Sequence, residues 1–160
     1  LARLGYRRIA LVTLPARNND RSRDRQTGYR AALAEAGLPE DPQLVMEMPP
    51  GLASGAEAVA RLVEADAPAD AVFFAGDVLA IGALLECQRR GWAVPGRVAI
   101  AAFDNLDLMH HLVPSITTLK LPRAEIGRRG AEVLLDRIQG RATEPRMVHL
   151  RFEIIQREST

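Results

Sequence analysis

The stretch Asp70–Asn105, "DAVFFAGDVLAIGALLECQRRGWAVPGRVAIAAFDN", decides the fold. Asp70–Ala75 is a short apolar run of the kind found in a strand buried on both faces. Gly76 and Asp77 then open a helical run that ends at Gly91. "VAIAAF" (Val98–Phe103) is a second buried strand, and Asp104 and Asn105 follow it. A strand, a helix and a strand in this order form one crossover unit with parallel strands.

The same alternation extends outward. "RIALVTL" (Arg8–Leu14) reads as a strand, followed by the polar loop "PARNND" and a helix over 22–37 with Asp20 or Ser22 as N-cap. Tyr29, Ala32, Leu33 and Ala36 form its apolar stripe. "QLVMEM" (Gln43–Met48) is a further strand, and the helix over 55–66 is opened by Ser54 and Glu57 at capping-box spacing, with Val59, Leu62 and Val63 buried. Downstream, "SITTLKL" (Ser115–Leu121) is a strand, "PRAEIGRRGAEVLLDRIQG" a long helix between Pro122 and Gly140, and "MVHLRFEII" (Met147–Ile155) an alternating final strand. The fold class is therefore α/β, a doubly wound and mainly parallel sheet with helices on both faces.

Bulk properties restrict the function. The 160 residues suffice for one domain with a core, and 48% apolar with 26% charged residues is ordinary for a soluble protein. A net charge of +1 supplies no electrostatic footprint for DNA. The most apolar region is broken by Asp77, so no membrane span is expected. The single Cys87 excludes an internal disulfide, fits a reducing compartment, and reads as a small buried hydrophobe. His110, His111 and His149 lack metal-ligand spacing, and no phosphate loop, nucleophile elbow or catalytic carboxylate pair stands out; no cofactor and no enzymatic activity are expected.

Ligands of doubly wound sheets bind beyond the carboxyl ends of the strands. Asn18, Asn19, Asp20, Arg21, Arg23 and Arg25 follow the first strand, Pro49–Gly51 the second, Gly76 and Asp77 the third, and Asp104 and Asn105 the fourth. Arg21 and Arg23 read as solvated. Arg25 lies one helical turn before Tyr29 on the inward stripe, although a cation there opposes the helix dipole by roughly 0.3–1 kcal/mol. It either makes a buried ion pair with Asp77 or Asp104, or meets a ligand. Asp77 is a helix N-cap or a ligand contact, and Asp104 a turn cap or a ligand contact.

"LGYRRIALV", "RDRQTGYRAALAEAG", the stretch from Ala71 to Asn105 and "VPSITTLKLPRAEIGRRGAEVLLDRI" together resemble the effector-binding region of LacI/GalR-type transcriptional repressors. "GALLECQRRG" and "TTLKLPRAEIGRRGAE" look most like the gluconate-utilisation members. The resemblance implies a periplasmic-binding-protein-like fold of two lobes around an effector cleft, in a cytoplasmic homodimer that grips operator DNA through an N-terminal domain lying outside this chain. On that reading the chain is a fragment. Residues of about 6–114 and 145–157 make the C-terminal lobe, and the strand and helix over 115–140 cross over to complete the N-terminal one, so here they must repack, swap with a partner chain or become mobile. The segment 106–112 and the helix over 78–90 would form the dimer face.

The resemblance assigns the ligand-binding roles to Arg25, Asp77 and Asp104. Arg25 matches the arginine that grips effector oxygens, and a sugar acid such as gluconate suits it. Asp104 matches the acceptor for effector hydroxyls, and Asp77 the acidic half of an Asn-Asp pair whose Asn is here Gly76. Leu121 stands nearest to a Gln that is common in the family. A solute-binding protein of a sugar transport system is the alternative with the same cleft, and a small doubly wound enzyme a third class.

Overall fold

The computed structural model of the chain describes residues 1–141 and 147–160. Six strands form one sheet: β1 (Ile9–Thr13), β2 (Val45–Glu47), β3 (Ala71–Phe74), β4 (Ala99–Phe103), β5 (Thr117–Lys120) and β6 (Glu153–Ile155). Their order is β2-β1-β3-β4-β5-β6, parallel except for the antiparallel pairing of β6 on β5. The chain turns back from β2 to β3 across β1, so the switch in winding direction falls at β1, between β2 and β3. That is where a doubly wound sheet leaves a crevice beyond its carboxyl ends.

Among the described residues, five α-helices accompany the sheet: α1 (Asp20–Glu35), α2 (Leu52–Val63), α3 (Asp77–Arg90), α4 (Leu108–His111) and α5 (Arg123–Ile138). Because side chains alternate along a strand, each strand feeds two cores. Ile9, Leu11, Ala71 and Ala99 face one way and pack with Tyr29 and Leu33 of α1. Ala10, Val12, Val72, Phe74, Ile100 and Ala102 face the other way, under α2 and α3. Tyr29 is fixed as well as buried: its hydroxyl donates to the Ile9 carbonyl at 2.7 Å, and burial pushes its pKa up to about 12.

The α2–α3 contact is backbone on backbone. A Cβ at Gly55 would fall on the Leu79 carbonyl, and one at Gly82 would fall on the Leu52 carbonyl. Only hydrogen side chains at these two crossing points let the helices approach so closely. Cys87 is buried on the same side of α3, and burial raises its thiol pKa to about 11.

Several local expectations change. The N-cap of α1 is Asn19, whose Oδ1 accepts from the Ser22 amide at 3.2 Å, rather than Asp20 or Ser22. Of the α1 stripe, Tyr29 and Leu33 are buried while Ala32 and Ala36 are exposed. Helix α2 starts at Leu52 after Gly51, so Ser54 lies inside its first turn and forms no capping box. The final strand is confined to Glu153–Ile155, with Met147, Val148 and Phe152 exposed; the expected boundary at 145 lies outside the described residues.

The crossover reading leaves the strand over 115–121 to repack, swap with a partner chain or become mobile. Thr117–Lys120 is packed as the fifth strand of this sheet, its register on β4 running from Ala101↔Thr117 to Phe103↔Leu119. Its first residues are too apolar and too well bonded to stand apart: Ile116, Thr117 and Thr118 are buried. Helix α5 behaves differently. None of its described residues is buried, and Ile126, Leu134, Leu135 and Ile138 are exposed.

The end of the chain is locked beside β4 and β5. Ser159 is fully buried; its hydroxyl donates to the Ile100 carbonyl at 2.6 Å and accepts from the Thr117 amide at 2.9 Å. Its backbone bonds the same two neighbourhoods, through Ile100 N at 2.9 Å and Ser115 O at 3.1 Å.

Candidate ligand-binding site

A cavity of about 280 Å³ lies at the carboxyl edge of the sheet. Leu14 after β1, Pro50 before α2, Gly76 and Asp77 after β3, Asp104 after β4 and Arg123 at the head of α5 contribute to its wall. A Cβ added at Gly76 would meet nothing within 4 Å, so the missing side chain there leaves room.

Asp77 is the first residue of α3, and Gly76 is the N-cap. The expected capping role is therefore not what holds it. Only 7% exposed, its Oδ2 accepts from the Leu106 amide at 2.5 Å, which ties α3 to the loop after β4. Its Oδ1 is buried and has no hydrogen-bond partner among the described residues. Burial pushes its pKa up; the Leu106 amide opposes that shift, Asp104 adds to it, and Arg123 and Arg157 pull it down. A buried carboxylate oxygen without a donor is costly, and such costs concentrate at binding sites.

Asp104 and Asn105 both have left-handed backbones, at φ 112° and 56°. For non-glycine residues each such conformation costs on the order of 1–3 kcal/mol and survives only when neighbours enforce it. The enforcing bonds are present. The Asp104 amide donates to Leu119 O at 3.0 Å, the Asn105 amide to Thr118 Oγ1 at 3.2 Å, and the Arg123 guanidinium to Asp104 O at 3.1 Å. Arg123 Nη2 also stands 3.3 Å from Asp104 Oδ1.

Arg25 does not form the ion pair that was one reading of it. Among the described residues it makes no hydrogen bond and no salt bridge. Its guanidinium carbon sits 4.3 Å from the centre of the Phe103 ring, and Phe103 in turn meets Phe73 edge-on at 6.5 Å. Half-burial lowers the Arg25 pKa, Asp104 acts in the opposite direction, and Arg21 reinforces the lowering. Arg23 is spent locally, on Asp20 and on the Ala16 carbonyl at 2.8 Å.

Asp77 and Asp104 thus share one cavity, while Arg25 stands beside it on the residue that precedes Asp104. Two members of this neighbourhood escaped the sequence reading. Arg123 is a cation in the first turn of α5, and the dipole argument applied there finds it. Phe103 reads simply as strand. Among the described residues no group of three or more His, Cys, Asp or Glu could hold a metal. His110 and His111 stack edge to face at 5.1 Å. The cavity sets two acceptor carboxylates and a guanidinium in a wall that also carries Leu14, Pro50, Val78, Leu79 and Leu106, with a second guanidinium beside it.

Fold and rim together define a small-molecule-binding lobe. A family profile described as the periplasmic binding protein-like domain matches residues 1–160. The HTH-type transcriptional regulator GntR of Pseudomonas aeruginosa is 39% identical over 158 residues, covering 98% of this chain and 45% of that protein. The HTH-type transcriptional repressor CytR of Escherichia coli is 35% identical over 156 residues, covering 98% and 46%. Among solved structures, a CelR–cellobiose complex superposes with a TM-score of 0.88 at 34% identity, covering 99% of this chain and 48% of that one. A LacI family transcriptional regulator from Mycobacterium smegmatis gives 0.86 at 30% identity, covering 100% and 59%. The chain belongs to the periplasmic binding protein-like domain family, in the form found in LacI/GalR-type transcriptional regulators. It spans about half the length of the curated relatives it matches.

Proposed function

We propose that this chain is the effector-sensing part of a LacI-type transcriptional regulator and that its effector is a sugar acid such as gluconate. The observation that carries the reading is the Arg25 guanidinium, stacked on Phe103 next to Asp104 and unbonded among the described residues. A planar fork of this kind takes a carboxylate by two parallel charge-assisted bonds, each worth about 1.5–3 kcal/mol. Asp104 and the unpartnered Asp77 Oδ1 are acceptors, suited to the hydroxyls of a polyol chain. Arg25, Asp77 and Asp104 are the ligand-binding residues on this reading.

The switch is conformational, not catalytic. Effector binds in a cleft between this lobe, residues of about 6–114 and 145–157 together with β5, and a second lobe to which α5 belongs. The exposed Ile126, Leu134, Leu135 and Ile138 support that membership, since an amphipathic helix needs a surface for its apolar side. Differential affinity for the open and closed clefts changes the operator affinity of a cytoplasmic homodimer whose DNA-binding segment lies outside this chain. Exposed Leu85, Leu106, Leu108 and Val113 support a dimer face along α3 and the segment after β4. No described helix is long and apolar enough to cross a membrane.

Calorimetric titration of the full-length regulator with D-gluconate, D-glucose and cellobiose tests the ligand class. Gluconate is expected to bind and the neutral sugars to give no heat. A preference for either neutral sugar overturns the sugar-acid assignment.

A further inference from the structure

We infer that Arg157 is a positioning residue for the effector site, holding the Asp104–Leu106 loop in its left-handed conformation through the side chain of Asn105. The inference rests on the effector site proposed above but concerns a residue that lies outside the cavity wall.

Arg157 is half-buried in the tail after β6 and divides its guanidinium between two acceptors. Nη1 donates to the Ile116 carbonyl at 2.7 Å, and Nη2 to Asn105 Oδ1 at 2.8 Å. Its backbone amide donates to Thr117 Oγ1 at 2.9 Å. Two residues later the fully buried Ser159 pins the tail to Ile100 and Thr117. Arg157 is therefore anchored on both sides, and its fork spans from the start of β5 to the loop after β4.

The amides of Asp104, Asn105 and Leu106 are held by Leu119, Thr118 and Asp77 respectively. Among the described residues two guanidinium groups grip side chains of the two-residue left-handed turn: Arg123 stands 3.3 Å from Asp104 Oδ1, and Arg157 is the one that holds Asn105. Asn tolerates this conformation better than most residues, but tolerance does not select it over an ordinary backbone. With Nη2 removed, the loop can relax, which turns the Asp104 carboxylate and draws the Leu106 amide away from Asp77 Oδ2. Both carboxylates of the cavity then lose their placement together. The tail thereby sets the geometry of a site it does not touch, and it does so from the antiparallel edge of the sheet.

The test compares full-length wild type with Arg157→Met, Arg157→Lys and Asn105→Gly, reading hydrogen exchange across 103–108 and D-gluconate affinity. In Arg157→Met the Asn105 and Leu106 amides are expected to exchange faster while β3 amides keep their protection. Gluconate should bind about tenfold more weakly if the competent loop is populated a tenth of the time. Arg157→Lys, which cannot reach both acceptors, should fall between. Asn105→Gly removes the acceptor but leaves the tail intact, and should reproduce the loop opening even if Arg157→Met does not fold. Unchanged loop exchange in Asn105→Gly, or acceleration spread evenly over the sheet in the Arg157 variants, overturns the positioning role. If wild type ignores gluconate while the loop amides still respond, the sugar-acid reading fails and the clasp stands.

Discussion

The Arg25 guanidinium lies 4.3 Å from the Phe103 ring centre and, among the described residues, is committed to nothing else. Stacking on an aromatic face satisfies part of its charge and fixes its plane while leaving its N–H edge unspent. A buried ion pair would have consumed that edge. On the proposed function, the residue is held for a partner that the described residues do not supply.

Replacing Arg25 by Lys keeps the charge and loses the fork. The loss of charge-assisted bonding to a carboxylate is expected to cost about 1.5–3 kcal/mol, or roughly tenfold to 150-fold in gluconate affinity. Thermal stability should change little, because the side chain makes no hydrogen bond among the described residues. Calorimetry and thermal melts on the full-length regulator separate the two effects, and unchanged affinity would remove Arg25 from the site.

What the sequence reveals here follows the range of each signal. The strand–helix alternation and the two-sided burial of β1, β3 and β4 are local patterns, and they read correctly. Asp77 announces itself because it stands at the head of a helix, where charge has a definite sign preference, and Arg25 because it falls on the apolar row one turn before Tyr29. The bond from Leu106 N to Asp77 Oδ2 joins residues from different elements, and the bond from Arg157 to Asn105 joins positions still farther apart; neither leaves a periodic trace. The pairing partner of strand β5 is not legible for the same reason. Its place beside β4 depends on register and on Ser159 wedged between Ile100 and Thr117, not on its own composition.

Asp77 links stability to function with opposite signs. Burial raises its native pKa above the usual carboxylate value. A raised pKa means that the folded state binds the proton more tightly, so this group's contribution is present at low pH and lost as pH rises through the native pKa. At neutral pH the charged form is thus a stability cost. Asp77→Asn should leave the melting temperature at pH 7 unchanged or raised, since an amide oxygen can still accept from Leu106, while gluconate binding weakens. A large drop in melting temperature would show that the charge stabilises the fold.

Gly82→Ala reverses the usual helix rule. In an open helix the change stabilises by about 1 kcal/mol through propensity. Here the new methyl group falls on the Leu52 carbonyl, and α2 must move off α3. Overpacking of this kind costs about 1–3 kcal/mol or more, so the urea midpoint should fall with little change in slope. A midpoint at or above that of wild type would mean that the helices do not cross at Gly82.

Ser159→Ala tests the seal at the end of the chain. The hydroxyl gives one hydrogen bond to Ile100 O and takes one from Thr117 N, both in fully buried surroundings. Alanine fills nearly the same space but leaves a buried carbonyl and a buried amide unpaired, at about 1–3 kcal/mol for each group before relaxation. The variant should lose stability by about that much, read as a lower urea midpoint. Its exchange should rise first at Ile100 and Thr117, at the β4–β5 seam, ahead of β1 and β3. Equal loss of protection across all strands would instead mark the tail as part of a single cooperative unit, with no seam for Ser159 to close.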